Sequence, residues 1–203
     1  MNLSRYFIAL AGCLFFQACV SQENKSKIEN HKLHKKIPKS EYSPQVTLYS
    51  SKAVNGKTAL EVLENSRDIM IRFIDSIPNE KIPYKYGGNK WTVAQVLQHI
   101  IYYEEIMYEK MLIALGRPPA QLNYQYYTQA GTAAAGSGKS KDVLLAEFID
   151  VRDRMIELIS SLDGEELKTM GTMDGFKLSI RVFTLCASGH QQHHFDVIRN
   201  RYL

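Results

Sequence analysis

The sequence predicts an all-α protein that folds as a four-helix bundle. Four segments of about 20 residues repeat their apolar side chains near the 3.6-residue period of an α-helix, and the chain offers no credible pair of strands. The connections between these segments are long, about 14, 24 and 16 residues. Antiparallel neighbours need shorter loops, so these connections indicate crossovers or caps over one end of the bundle. The 203 residues suffice for one such domain and a short appendage.

The first 18 residues have the pattern of a bacterial lipoprotein signal peptide. Arg5 precedes an apolar run over residues 6–16, and about 11 residues are too few to span a bilayer, which needs roughly 20. Two cysteines compete as the lipidated residue, and Cys19 is favoured over Cys13 because the full apolar run precedes it and a polar chain follows it. We therefore expect a lipid-anchored protein of the cell envelope that faces the periplasm or the exterior. The alternative is an uncleaved N-terminal anchor helix that contains both cysteines.

Residues 19–56 are predicted to form a flexible basic tether, because they are rich in Lys, Ser, Asn and Gln and show little apolar periodicity. Residues 20–56 hold seven lysines and three glutamates, which matches the net charge of +4 for the whole chain. The predicted domain, residues 57–203, is therefore close to neutral. This argues against nucleic-acid binding, which needs a basic face on the domain itself.

The first two helices are predicted from their periodicity and their end signals. The first covers residues 58–77 and ends before Pro78, because the residue before a proline avoids the helical region. The second begins after Thr92, which forms a capping box with Gln95, a pair in which each side chain satisfies a free backbone donor. It ends near Gly116, a candidate C-cap.

The third and fourth helices are predicted over residues 141–162 and 179–202, with Ser179 as the N-cap of the fourth. Between the second and third helices, "AAAGSGKS" at residues 133–140 fits a loose form of the phosphate-binding loop. That motif needs a buried strand before it, and the preceding residues do not form one. We therefore interpret residues 133–140 as a loop between helices.

The fourth predicted helix contains a histidine pair with the spacing of metal ligands. His190 and His194 are four residues apart and share a helix face with three core-type residues, Phe183, Ala187 and Ile198. Two inward-facing imidazoles one turn apart can hold one metal ion, and His99 of the second helix is the candidate third ligand. His193 lies about 100° from His194 around the helix, and we interpret it as a rim residue.

Three protein nitrogens would leave coordination positions open, as in catalytic zinc sites and in octahedral nickel or iron sites. Structural interpretations stay open for the same residues. A lone helical histidine such as His99 is usually a partly buried, hydrogen-bonded residue. A histidine pair such as His190 and His194, taken alone, lies on the surface more often than it binds a metal. Cys186, one turn before His190, is a candidate fourth ligand or redox partner, although a small buried apolar residue needs no such role.

Two segments resemble signatures of the DinB-like family. The segment "KWTVAQVLQHI" contains a Trp, then a hydroxyl residue, and then a His seven positions after the hydroxyl residue. The segment "GHQQHHFDVIRNRYL" contains a His-x-x-x-His pair followed by an Ile-Arg-x-Arg-Tyr ending. The resemblance covers residues 57–203. It implies an up-down-down-up four-helix bundle, homodimers, and a divalent metal, usually nickel or zinc, held by His99, His190 and His194.

The resemblance also implies two kinds of activity, thiol-dependent transfer or isomerisation and metal-dependent hydrolysis of a small molecule. Glu104 matches an acidic position that the family often has five residues after its first His, and we interpret it as a residue behind the ligands or as a structural one. Glu104, Tyr103 and Tyr102 are candidates for proton-transfer or orienting roles. The metal would act as a Lewis acid or lower the pKa of a bound water or thiol.

A second hypothesis is a non-catalytic envelope lipoprotein that binds a metal or another protein. No carboxylate in the sequence is clearly placed as a general base, and the motifs contain no substrate-specific residue. The lipoprotein signal also departs from most relatives, which are cytoplasmic. It argues against the thiol-transferase role, because the low-molecular-weight thiols are cytosolic.

Overall fold

The computed structural model describes residues 37–120, 122, 125 and 128–203, and this part of the chain is mainly helical. The signal peptide over residues 1–18 and the lipidation at Cys19 lie outside the described residues. Among the described helices, none is both long and apolar enough to cross a bilayer. The elements are, in chain order, α1 (Thr47–Ser50), α2 (Ala59–Ser76), α3 (Val93–Ala114), α4 (Gln129–Gly136), α5 (Lys141–Ser161), β1 (Met170–Met173), β2 (Phe176–Ser179) and α6 (Ile180–Arg201).

Helix α3 has both of the end signals that the sequence predicts. Its capping box is complete, since the Gln95 amide N–H donates to Thr92 Oγ1 at 3.2 Å and the Thr92 N–H donates to Gln95 Oε1 at 2.8 Å. Gly116 follows the helix with a φ of 67°, a left-handed conformation that glycine adopts without strain. This turn lets the Arg117 N–H donate to the Leu112 carbonyl, which closes the helix end.

Each of the four long helices packs against two of the other three. Helix α2 packs against α5 and α6, and helix α3 packs against the same two helices. Helices α2 and α3 therefore lie across the bundle from each other, as do α5 and α6, which explains the long connections within these two pairs. Helices α3 and α5 are in contact, and the connection between them contains α4. Two apolar clusters fill the interior, and α6 contributes Ala187 to one and Phe195 to the other. His190 and His194 lie between these clusters along α6.

The expectation that the chain has no paired strands is wrong for residues 170–179. Strands β1 and β2 pair antiparallel, with Met173 opposite Phe176. The turn between them contains Asp174 and Gly175, whose φ angles of 50° and 81° are those of a tight hairpin turn. An Asp-Gly pair is a hairpin signal, but here each flanking strand has only four residues, too few for visible alternation.

Residues 37–56, which we name the N-terminal strap, differ from the predicted flexible tether because they pack on α6. Glu41 is buried and accepts hydrogen bonds from Ser179 Oγ at 2.8 Å and from Arg181 Nε at 2.6 Å. Burial by itself raises the pKa of Glu41, but the bonds from Arg181 and Ser179 lower it overall. Ser179 stands at the N-cap position of α6, yet its hydroxyl binds Glu41 and does not cap the helix.

The segment that resembles a phosphate-binding loop is divided between a helix and a turn. Residues 133–136 belong to α4, and the turn that follows contains Lys139. Its ammonium donates to Gln98 Oε1 at 2.6 Å and to Glu147 Oε2 at 2.8 Å. Lys139 therefore joins α3 to α5, and its charge is already paired with a carboxylate.

Candidate metal centre

His99, His190 and His194 meet between α3 and α6. Nε2 of His190 lies 3.2 Å from Nε2 of His99 and 3.0 Å from Nε2 of His194. One nitrogen from each of the three rings lies within 4.8 Å of the other two. Two nitrogens bound to one metal at 2.0–2.1 Å are about 2.9 Å apart at a right angle and about 3.3 Å apart at the tetrahedral angle. The two short separations therefore fit a single divalent ion between the rings.

The α6 pair faces inward because its helix face is apolar on both sides. Phe183, Ala187 and Ile198 lie on this face, and all three are buried. His190 itself is only 2% exposed, whereas His194 and His99 are half-buried. The i, i+4 spacing thus brings two imidazoles to one point, and α3 brings the third from across the helix interface.

All three imidazoles are held in the neutral form that metal binding requires. Burial, the largest cause, lowers the pKa of each of them, and neighbouring histidines lower it further. The pKa of His194 falls to about 3, and that of His190 falls well below its ordinary value. At neutral pH each ring therefore keeps an unprotonated nitrogen that can accept a metal.

Aromatic rings surround His190 and hold its orientation. The ring of Tyr103 stacks on it at 3.8 Å between centroids, and Tyr49 of the N-terminal strap contacts it edge-on at 5.1 Å. Nδ1 of His190 is buried and has no hydrogen-bond partner among the described residues. Ring packing therefore replaces the second hydrogen bond that usually orients a metal-binding histidine. Burial also raises the pKa of Tyr103, so its hydroxyl stays protonated at neutral pH.

The N-terminal strap lies directly on α6 beside these histidines. A Cβ atom at Gly189 would lie 1.7 Å from the Tyr49 carbonyl oxygen, so the close approach requires a residue without a side chain. The Val54 N–H donates to Ser188 Oγ at 3.0 Å, which ties the end of the strap to the same turn. The strap therefore covers one side of the three-histidine cluster.

Glu104 is fully buried and belongs to an ion-paired network, not to the cluster. Arg152 donates through Nε to Glu104 Oε2 at 2.9 Å and through Nη2 to Glu104 Oε1. The same guanidinium donates to the Leu63 carbonyl at 3.0 Å, to Gln191 Oε1 at 3.1 Å and to Ser66 Oγ. Burial raises the pKa of Glu104, and Arg152 opposes that rise. In the structure the Glu104 carboxylate is therefore a partner of Arg152, and it is not part of the three-histidine cluster.

We name these residues the Arg152 network, and it connects the interior to the metal centre through Gln191. Gln191 follows His190 directly, and its amide donates to the Ser66 carbonyl of α2 at 2.8 Å. The network therefore sets the rotation of α6 relative to α2 and α5. Arg152 stands within the apolar stripe of α5, four residues after Phe148, and such an arginine is a sequence signal for a buried partner.

The other candidate residues lie outside the cluster. His193 is half-buried and contacts Tyr49 edge-on at 5.8 Å. Cys186 is buried against the strap, with Sγ 4.0 Å from the Val46 carbonyl oxygen, and burial raises its pKa to about 12. Tyr102 packs against the apolar cluster that contains Phe195. No sequence pattern marked Tyr49, because the strap has no periodicity of its own.

Comparison with known proteins identifies the family. A family model described as the DinB superfamily matches residues 62–198, which is more than half of the chain. No curated protein and no solved structure gives a significant match. The matched region contains all three histidines of the cluster and excludes the N-terminal strap. The chain therefore belongs to the DinB superfamily.

Proposed function

We propose that this protein binds one divalent metal ion through His99, His190 and His194 and uses it on a small molecule, as a metal-dependent hydrolase or transferase. The supporting observation is the convergence of the three ring nitrogens within 4.8 Å. Three neutral imidazoles suit nickel or zinc, and an octahedral iron site would accept them equally. Three protein ligands leave positions open for a substrate, whereas a structural zinc site takes four.

The bound metal would supply Lewis-acid activation of an oxygen or sulfur atom of the substrate. The protein residues keep the site rigid and partly dry. Tyr103 and Tyr49 pack on His190, and Trp91 contacts His99 in a tilted arrangement with 5.4 Å between ring centroids. Tyr103 also keeps a protonated hydroxyl close to the cluster, which makes it a candidate hydrogen-bond donor and not a base.

The alternative function is a non-catalytic metal-binding protein. One observation favours it. The Glu104 carboxylate is paired with Arg152, and among the described residues no carboxylate belongs to the three-histidine cluster. A metalloenzyme that hydrolyses its substrate usually needs a general base, so the absence of one from the cluster suits metal storage, metal transfer or an interaction role.

Three further expectations belong to the same proposal. The signal-peptide pattern supports lipidation at Cys19 and a place in the cell envelope. Membership of the DinB superfamily supports an up-down-down-up helix order and a homodimer. The helix contacts, in which α2 and α3 both pack against α5 and α6, agree with a bundle that has crossover connections.

Metal analysis of the purified protein tests the shared premise. After supplementation with nickel, zinc or iron, the protein should hold close to one metal per chain, and His99→Ala, His190→Ala and His194→Ala should each lose it. His193→Ala is the matched control, because His193 lies on the same helix but outside the cluster. A full complement of metal in all three cluster variants, or none in the parent protein, would refute the site.

Activity screens separate the enzyme from the binder. Ester and amide hydrolysis and thiol transfer are measured with fully metal-loaded protein and with His194→Ala. Turnover that disappears in the variant while its circular dichroism spectrum is retained supports the enzyme. A metal-loaded protein that turns over none of these substrate classes supports the binder.

A further inference from the structure

We propose that the metal centre receives a small aromatic carboxylate, whose ring occupies the cavity beside His194 and whose carboxylate lies near the metal and Lys90. This inference rests on the proposed metal site and specifies the substrate class that it accepts. It concerns a cavity formed by the loop before α3 and the last turns of α6.

The cavity has one wall in common with the metal centre. Its volume is about 250 Å³, and His194 is part of its lining. Trp91, also in the lining, contacts the ring of His99 at 5.4 Å between centroids, so this side chain lies between the cavity and the second candidate ligand. The remaining lining residues are Tyr86, Asn89, Lys90, Val96, Val197 and Tyr202.

The composition of the wall suits a flat apolar group. The cavity is bordered by three large aromatic side chains, those of Tyr86, Trp91 and Tyr202, and by two valines. Aromatic rings prefer offset or edge-to-face contacts with one another, and walls of this kind favour a planar ring over a flexible polar chain. A cavity below the 300–1,000 Å³ of typical ligand pockets restricts the occupant to about ten non-hydrogen atoms.

The charge of the wall suits an anion. Lys90 contributes the one formal charge of the lining, which contains no Asp or Glu. Its exposed ammonium makes no hydrogen bond or ion pair with the described part of the chain, and it remains available for a ligand. A divalent metal held by three neutral imidazoles keeps its full charge of +2, so the metal and Lys90 attract the same negatively charged group.

The cavity is built before any ligand arrives. The Tyr202 hydroxyl donates to the Trp91 carbonyl at 2.8 Å, and Tyr86 contacts the Tyr202 ring edge-on at 4.8 Å. The Val93 N–H donates to the Tyr84 carbonyl at 3.2 Å, which closes the loop at the start of α3. A preformed wall reduces the ordering cost of binding.

The N-terminal strap leaves this side as the approach to the metal. Tyr49 and the backbone around it cover α6 at Gly189 and His190. Tyr103 covers one face of the His190 ring by stacking on it. His194, in contrast, borders an open cavity that no residue of the strap lines, so a ligand can enter this cavity beside His194 without displacing the strap.

Binding of three small probes to the zinc-loaded protein tests the inference. Phenylacetate has both a ring and a carboxylate, acetate has only the anion, and phenylacetamide has only the ring. The chain has a single tryptophan, so the indole N–H signal of Trp91 in a ¹H–¹⁵N spectrum reports occupancy of the cavity. Phenylacetate should bind at least about tenfold more tightly than either partial probe, because only it uses the aromatic wall and the charge together.

Two variants separate the contribution of the aromatic wall from that of the Lys90 charge. Tyr86→Ala should weaken phenylacetate about tenfold and leave acetate unchanged, since an aromatic contact contributes up to about tenfold in affinity. Lys90→Met should weaken phenylacetate by about two- to fivefold and leave phenylacetamide unchanged. Lys85→Met is the matched control, because Lys85 lies in the same loop but outside the lining of this cavity, and it should have no effect.

The outcomes distinguish the inference from the metal proposal. If the protein holds zinc but phenylacetate binds no better than acetate, or if Tyr86→Ala has no effect, the inference is wrong and the metal site stands. If the protein holds no zinc, the metal proposal fails. In that case phenylacetate binding that still shifts the Trp91 signal and depends on Lys90 supports the cavity alone.

Discussion

Replacing Glu104 with glutamine separates a structural carboxylate from a catalytic one. In the folded protein Glu104 accepts two hydrogen bonds from Arg152, and both side chains have no exposed surface. Glutamine has nearly the same shape but only one acceptor atom and no charge. The variant therefore leaves the guanidinium of Arg152 buried without its counter-ion.

The expected cost follows from that burial. Removing one partner of a buried ion pair destabilises a protein by about 3–5 kcal/mol, because the remaining charge stays desolvated. For a domain of about 150 residues, each kcal/mol lowers Tm by about 2–4 °C, so Tm should fall by about 6–20 °C. Against a typical stability of about 5–15 kcal/mol, Glu104→Gln removes a large share but leaves a folded protein at low temperature.

Urea unfolding and thermal unfolding measure the effect, and Glu105→Gln is the matched control. Glu105 lies 4.0 Å from Arg154 in a partly exposed pair, for which about 1 kcal/mol or less is expected. The double variant Glu104→Met with Arg152→Met should recover only part of the loss, because no unpaired charge then remains but Gln191 and the Leu63 carbonyl lose a buried donor. At temperatures where it is folded, Glu104→Gln should bind metal like the parent protein. Unchanged stability together with lost activity would refute the structural role.

Three further predictions concern the metal and the strap. Nickel at 100 times its dissociation constant should stabilise the parent protein by about 2.7 kcal/mol and raise Tm by about 5–11 °C, but should leave His194→Ala unchanged; equal shifts in both proteins would contradict the assignment. Gly189→Ala should displace the strap and speed both trypsin cleavage after Lys52 and metal loss to a chelator, whereas Gly88→Ala, which adds a methyl to open space, should change neither. The metal-free protein should lose stability as pH falls from about 6.5 towards 3. Over this range His194 binds a proton in the unfolded chain but not in the folded chain, where its pKa is about 3. Urea unfolding at pH 7 and pH 5 measures this, and a His194→Gln variant with the same pH dependence would argue against it.

The sequence was sufficient for features that depend on a few neighbouring residues. The capping box of Thr92 and Gln95 starts α3 because both hydrogen bonds close within three residues. Four-residue spacing places His190 and His194 on one helix face, and the apolar residues on that face turn it inward. Likewise, the family motifs were sufficient to name His99 as their partner across the helix interface.

Only the tertiary structure decided the roles of residues whose partners are distant in the chain. The role of Glu104 depends on Arg152, 48 residues away in the chain, and the role of Tyr49 depends on Gly189, where the strap contacts α6. Local sequence patterns do not predict such contacts, because a buried charge or a docked segment is stable only when a particular folded surface lies opposite it. The sequence therefore determined the four long helices and which histidines share a face, but not the short helices α1 and α4. The packing decided that Glu104 pairs with Arg152 and that residues 37–56 cover one side of the candidate metal centre.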